Sequence, residues 1–444
     1  MPALRAQWHA LAASLALLAS ACNGDGGNSF ATHDDCPVVV ADADCDTTKR
    51  PFVFVHGTFG SGDNIANVAM LFGSNGYCQD RFVAVDYDSL GGNPIAALDA
   101  LIDDVRARTG ADQVELAGHS QGTAHAETYL SDPTRAAKVA HYINYSGPGS
   151  PPAAIPTLSL SSQNDLNGTP HHASGPDVTQ VTFVDEDHFA VAASFNAFIA
   201  TWQYLYGEAP RYTTIQCGEE TITVEGVAET FGDNVPVTDG AMEVYELGRS
   251  PTERSEPVAR LVSDAHGHVG PIELRRNVPY EWKAFDGTGH LIGYVYFPPF
   301  KRSNRLARFL KPSDNRLIAA LSTDHIVRSP DQVALVGRYL GGAFRHDLGN
   351  SLEIDGHETL TDENAGRTGN VVGLFMYDAD SNRESTLGTA FRAPFVVGTD
   401  VFVDATAPAW VDVDWHDPRS GAPPSRTRIP NWPSSDALNL VYFQ

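Results

Sequence analysis

Cations are scarce in this sequence. Lys and Arg number 30 against 55 Asp and Glu, a formal net charge of −25 over 444 residues. Phosphate backbones are held by clustered cations, so this balance excludes a nucleic-acid binder. No polybasic patch is available for anionic lipid either, and affinity for lipid must come from apolar surface. Long apolar runs are also missing. The run at residues 10–21 has 12 residues, too few to cross a bilayer as a helix. Cysteine is sparse, with five in all, and none of the spacings matches a zinc site. No repeat of fixed period is present. With 42% hydrophobic and 19% charged residues, the chain has ample material for a core. Its length suits two or three domains.

Residues 1–21 have the form of an export signal: Arg5, the apolar run, then Ala19-Ser20-Ala21 as a small-residue cleavage site. Cys22 follows, and then a Gly/Asn-rich stretch over residues 23–29. The segment L-A-S-A-C resembles a bacterial lipoprotein signal, although Ala19 stands where Leu is commoner. The resemblance implies a lipidated Cys22, a flexible tether over residues 22–35 and a membrane anchor; plain secretion is the alternative. The other four cysteines, Cys36, Cys45, Cys78 and Cys217, suit disulfides in an oxidising compartment. Three pairings are open. The expectation is Cys36–Cys45 as a local loop and Cys78–Cys217 as a long clamp.

Between residues 50 and 207, short apolar strands alternate with helical patterns. Strands are expected at 52–55, 82–85, 114–117, 143–145, 157–160 and 181–184. Residues 94–108 carry Ile95, Leu98, Leu101, Ile102 and Val105 at helical spacing, stopped by Gly110. Residues 189–206 form a closing helix. This alternation predicts a mostly parallel, doubly wound sheet covered on both faces. After about residue 218 helical patterns thin out and β-type runs appear at 221–226, 242–247, 294–297 and 401–403. Short helices are expected at 306–310 and 331–340, and a last strand in L-N-L-V-Y-F-Q. The β half reads as one or two sandwiches.

Chemistry concentrates in the first half. Gly118-His119-Ser120-Gln121-Gly122 is a G-x-S-x-G between a strand and a helix. That context puts Ser120 on a sharp elbow with its hydroxyl exposed, and the helix N-terminus beside it. A second signal is F-V-F-V-H-G-T at 52–58, a strand ending in His-Gly. The N–H groups of Thr58 and Gln121 are the candidate oxyanion donors, with His56 bracing the loop rather than reacting. The general base should follow the last strand of the sheet, where His188 stands; His171 and His172 are alternatives in a Gly/Pro-rich loop. The acid should follow the strand before it, which selects Asp165 over Asp177, Asp185 and Asp187. Asp185, Glu186 and Asp187 directly precede His188, and negative charge beside an imidazole favours its charged form.

On these residues — with V-D-Y-D at 85–88, S-S-Q-N-D at 161–165 and D-E-D-H-F at 185–189 — residues 50–207 resemble an α/β-hydrolase of the bacterial secreted lipase type. The resemblance implies a Ser120–His188–Asp165 triad acting on an ester or lipid substrate, without cofactor or metal. It leaves oligomeric state open. The connection at 146–156 is too short and Pro-rich for a helical lid, so an open cleft is expected, with Phe59, Ile65, Ile155 and Phe189 as candidate lining. Residues 219–298 resemble a transthyretin-like or carboxypeptidase-regulatory-like sandwich, and 299–444 continue as a second β-rich domain. The whole plan, a catalytic domain over 36–218 and then a β half, is similar to prokaryotic long-chain lipases. Polyester depolymerase and acyltransferase chemistry would use the same machinery. A surface binding protein on a retired hydrolase scaffold is the reading from another class. His266-Gly267-His268 fits a turn better than a metal site.

Overall fold

Phe52-Val53-Phe54-Val55 is apolar at every position, a pattern that only a strand covered on both faces can bury. In the computed structural model it is β1 (Phe52–Val55), with all four residues buried. The structure describes residues 36–248, 250–251, 256–367, 370–420 and 422–444. The export signal, Cys22 and the tether lie outside the described residues.

β1 pairs in parallel with β2 (Phe82–Val85) on one side and β3 (Val114–His119) on the other. The sheet continues through β4 (Val139–Tyr145), β5 (Thr157–Asn164) and β6 (Val178–Asp187), giving the order β2-β1-β3-β4-β5-β6. Phe52 and Phe54 face helices α1 (Ala66–Ser74) and, later in the chain, 195–206; Val53 and Val55 face α2 (Ile95–Thr109) and α3 (Gln121–Leu130). The sheet is thus covered on both faces and has the α/β-hydrolase fold. A short α4 (Pro133–Ala136) follows α3. The expected single helix over 189–206 is two, α5 (Ala190–Ala193) and α6 (Phe195–Tyr206). Ser194 is extended between them, and its side chain caps α6 at Ala197 N–H.

The disulfides correct the expected pairing. They are Cys36–Cys217 and Cys45–Cys78. The 36–45 segment does not fold back on itself: Val39 lies alongside Cys217, and Val40 N–H donates to Cys217 O at 2.8 Å. Asp46 N–H donates to Gly76 O at 2.8 Å, which brings Cys45 to the turn carrying Cys78.

The β half has three sheets among the described residues. β7 (Thr221–Thr230) pairs with β10 (His268–Arg275) and β13 (Asn304–Lys311). A nine-stranded sheet takes β8 (Ala241–Glu246), β9 (Ala259–Val262), β11 (Tyr280–Phe285) and β12 (Leu291–Tyr296), then strands from the last third. Those are β14 (Leu335–Tyr339), β17 (Gly373–Tyr377), β18 (Thr389–Ala393), β19 (Val396–Asp400) and β22 (Leu438–Phe443). The third sheet holds β15 (Ser351–Ile354), β16 (His357–Glu358), β20 (Trp410–His416) and β21 (Ser425–Pro430).

Three local expectations fail here. Residues 306–310 lie in strand β13, and 335–339 of the second expected helix form β14. Both are short, nearly continuous apolar runs, which periodicity cannot assign to helix or strand. The helices instead are α7 (Arg316–Leu321) and α8 (Asp362–Ala365), opened by Asn315 and Thr361 caps. The strand expected at 401–403 ends earlier, at Asp400. The last strand is present as β22, all six residues buried, parallel to both β12 and β14.

Buried ion pairs join the halves. Arg338 in β14 binds Asp63 through Nε at 2.9 Å and Nη2 at 2.7 Å. Arg308 in β13 binds Asp86 at 2.7 Å. Burial alone would raise the Asp63 carboxyl, but Arg338 and Arg308 outweigh it and hold it below its ordinary value. Glu229 beside Arg308 is pushed well up by burial and by Asp86.

Candidate active site

The elbow is built from close approach. Ser120 has φ of 52° and ψ of −120°, a left-handed conformation rare for a residue with a side chain, between the end of β3 and the start of α3. Its N–H donates to Tyr145 O at 2.9 Å. A Cβ on Gly118 would lie 2.7 Å from Gly122 O, and one on Gly122 only 2.2 Å from Val55 O. Both glycines of the motif are therefore steric requirements of the turn.

Asp165 follows β5 and His188 follows β6, as the chain order predicts. His188 Nδ1 lies 2.6 Å from Asp165 Oδ1. Nδ1 therefore carries the hydrogen and Nε2 the lone pair, an assignment that follows from the partner. Asp165 also accepts from Leu166 N–H at 2.7 Å, from Ser161 Oγ at 2.8 Å and from Ser146 Oγ. Burial works to raise the Asp165 carboxyl, yet His188, Ser146 and the Leu166 N–H together hold it below the ordinary carboxylate range. It stays ionised to orient an imidazole.

Ser120, His188 and Thr58 line one crevice, walled also by Phe189 and Phe395. It is narrow. The expected open cleft is not there. Residues 146–156 form no helix, as expected, but Phe395 at the β18–β19 turn closes the space instead. It packs edge-on against Phe189 at 5.2 Å. Of the other candidate lining residues, Ile65 and Ile155 are core, and Phe59 stacks on Phe231 of the β half at 6.1 Å.

Thr58 and Gln121 are clamped together. Thr58 Oγ1 donates to Gln121 Oε1 at 3.0 Å, and Gln121 Nε2 donates to Ser89 O at 3.0 Å. Gln121 is the first residue of α3, where N–H groups have no partner within the helix. His56 is fully buried and its pKa is lowered by that burial, so it is neutral. Its Nδ1 lies 2.8 Å from Gly57 O, the bracing role expected of it.

The alternatives lie elsewhere or play other parts. Asp177 is exposed. His172 is bonded to Ser159 at 3.2 Å and Thr182 at 2.8 Å. His171 Nδ1 stands 3.7 Å from Asp165 Oδ1, outside hydrogen-bond range. Asp185 is exposed, but the other two acids before His188 are buried and are not free charges. Asp187 is buried and accepts from Phe189, Ala190 and Ala343 N–H groups at 2.9–3.1 Å, with Arg419 at 3.5 Å. Glu186 is pushed up to about 7 by burial.

Two neighbours escaped sequence reasoning. Ser146 Oγ sits 3.1 Å from His188 Nδ1 as well as on Asp165. Its place directly after β4, at the same sheet end as the other site residues, was the available signal. His119 Nε2 lies 2.9 Å from His188 O. Burial, then the neighbouring His188, pushes His119 down to about 3, so it is a neutral donor that fixes the His188 backbone.

Comparisons with known proteins give two family matches, each short of half the chain. Residues 220–313 match the model of a lipase C-terminal domain, and residues 323–444 match a second C-terminal-domain model. Among solved structures, Aspergillus fumigatus lipase B is 13% identical, with a TM-score of 0.27, over 38% of this chain and 56% of that one. The chain thus spans just over half the length of that relative. A Bacillus licheniformis lipase in its propeptide form is 11% identical, with a TM-score of 0.29, over 87% and 94% of the two chains. A putative α/β-hydrolase from Agrobacterium tumefaciens is 14% identical, with a TM-score of 0.26, over 40% and 91%.

Proposed function

We propose that the chain is a serine ester hydrolase of the lipase or carboxylesterase type. One observation carries this: His188, bonded to the buried Asp165, and Ser120 on its elbow border the same crevice. Ser120 Oγ attacks the acyl carbonyl while its proton passes to His188 Nε2. The N–H groups of Thr58 and Gln121 hold the oxyanion. Collapse expels the alcohol, which takes the proton from His188, and leaves the acyl group on Ser120. Water, deprotonated by His188, then releases the acid. Asp165 stabilises the imidazolium in both halves. The apolar wall of Phe189 and Phe395 supports an acyl group as the bound moiety, and the lipase C-terminal match over 220–313 supports a lipid ester.

The test is the initial rate of the full chain on p-nitrophenyl esters from acetate to palmitate, with Ser120→Ala as blank and fluorophosphonate labelling alongside. Activity above the blank with label on Ser120 supports the reading. Label without turnover on these esters favours depolymerase or acyltransferase chemistry. No label and no activity sinks the triad and brings the binding-protein reading forward.

The proposed address is export with Cys22 lipidated. The two disulfides support an oxidising compartment. Radiolabelled palmitate should enter the wild type and not Cys22→Ala; equal labelling overturns the anchor.

A further inference from the structure

The loop after β7, residues 231–237, carries a side chain into the hydrolase half. Asn234 is 7% exposed and has φ of 50°, a conformation Asn tolerates better than most residues. Its Nδ2 lies 3.1 Å from His56 Nε2, 2.8 Å from Gly60 O and 3.0 Å from Tyr87 O. Gly60 O and Tyr87 O can only accept, so the amide nitrogen is the atom placed there, and its two hydrogens are shared among the three contacts. Tyr87 N–H also points at His56 Nε2, at 3.3 Å. With donors on Nε2, the hydrogen of the neutral imidazole belongs on Nδ1, where it is donated to Gly57 O at 2.8 Å.

Gly57 C=O and Thr58 N–H belong to one planar trans peptide unit and point in opposite directions. Pulling the carbonyl inward onto His56 therefore turns the Thr58 N–H away from His56. Thr58 lines the crevice beside Ser120. We infer that Asn234 is a positioning residue for the oxyanion loop. The β half, through this amide acting with the Tyr87 N–H, holds the Nδ1–H tautomer of His56 and with it the aim of the Thr58 donor. The inference rests on the ester-hydrolase reading above.

The loop is tied in place by hydrogen bonds. Asp233 accepts from Thr230 Oγ1 at 2.5 Å and from Ser313 Oγ at 2.8 Å. Val235 N–H donates to Thr230 Oγ1 at 2.8 Å. The same loop reaches the second donor indirectly. Ser89 Oγ donates to Gly232 O at 3.1 Å, and the Ser89 carbonyl receives Gln121 Nε2 at 3.0 Å.

The test uses the full chain with Asn234→Ala, Asn234→Asp and, as a loop control, the exposed Val235→Ala. Losing an oxyanion donor costs about 100- to 1000-fold in kcat, and misaiming one should cost about 10- to 100-fold. KM should stay within about twofold. Affinity for a trifluoromethyl ketone transition-state analogue should fall in step with kcat/KM. Asn234→Asp should not rescue, because a carboxylate cannot donate. Unchanged kcat in Asn234→Ala overturns the inference while the wild type stays active. A fall in activity that tracks only loss of folded protein, with analogue affinity intact, assigns Asn234 a purely structural part and also overturns it. An inert, unlabelled wild type brings down the ester-hydrolase reading and this inference with it. A measurement without mutation guards against misfolding: ¹⁵N shifts of histidine-labelled protein should show His56 protonated on Nδ1. Protonation on Nε2 would refute the argument.

Discussion

Residues 50–207 and residues 219–444 bury similar kinds of side chain in opposite ways. In the first region each strand lies next to one made shortly before or after it, in the order β2-β1-β3-β4-β5-β6. In the second, the last strand of the chain lies between β12 and β14, at the centre of nine. The first region is built from units that each nearly complete themselves. The second is completed only by its end. Yet the first region's site leans on the second: Asn234, Arg338, Ala343, Arg419 and Phe395 all touch the loops that carry Thr58 or His188, or the elements beside them. The candidate site residues are supplied by the local half, and their support by the non-local one.

The largest expected effect breaks this contrast at its extreme. Deleting residues 438–444 removes the strand that joins the two sides of the nine-stranded sheet. The variant should lose cooperative unfolding and protease resistance throughout, read by circular dichroism melts and limited proteolysis. A stable hydrolase half surviving alone would show that the dependence is weaker than drawn.

Next is the seam. Arg338→Met leaves Asp63 buried and unpaired, which should cost about 3–5 kcal/mol in denaturant unfolding of the full chain. Adding Asp63→Asn should restore most of it, since the pair's desolvation is then removed from both sides. Simple additivity would deny that the two residues act as a pair.

A third effect lies within the hydrolase half. Glu186 is pushed up to about 7 by burial, above its unfolded value. The native state therefore keeps a proton that the unfolded chain has released, and stability falls as pH rises from about 4.5 to about 7. Below that window Glu186→Gln should match the wild type. Above it the variant should be more stable, by on the order of 3 kcal/mol. Identical pH–stability curves would contradict the burial argument.

The smallest change sharpens the comparison at the crevice. Phe395→Ala opens a wall that the β half supplies and should raise the palmitate-to-acetate rate ratio by about tenfold, roughly 1.4 kcal/mol. An unchanged ratio would mean that the β half supports the site without shaping what enters it.

Legibility follows the same division. The strands and the elbow are legible because in the first region sequence order is nearly spatial order, and the same order brings the candidate acid and base within hydrogen-bond range. The strands at 52–55 and 82–85 stand where the apolar runs put them. The disulfides were not readable, because pairing depends on where Val39 lies against Cys217, a contact across 178 residues of chain with no local signature. Residues 306–310 are not legible because so short a run, apolar but for Arg308, has no period to measure. Asn234 and Phe395 are single side chains in turns, and only the packing of one half on the other gives them a neighbour to act on.

The Cys36–Cys217 bond ties the two ends of the hydrolase half into a covalent ring, with Cys45–Cys78 nested inside it. A peptide bond cut anywhere between those ends opens the ring without releasing a piece. Both fragments stay joined through sulfur, and the proposed triad, which draws on residues 120, 165 and 188, stays within one molecule. In surroundings rich in proteases a first nick therefore need not separate the parts of the site, and reducing agent should be needed before the fragments part on a gel.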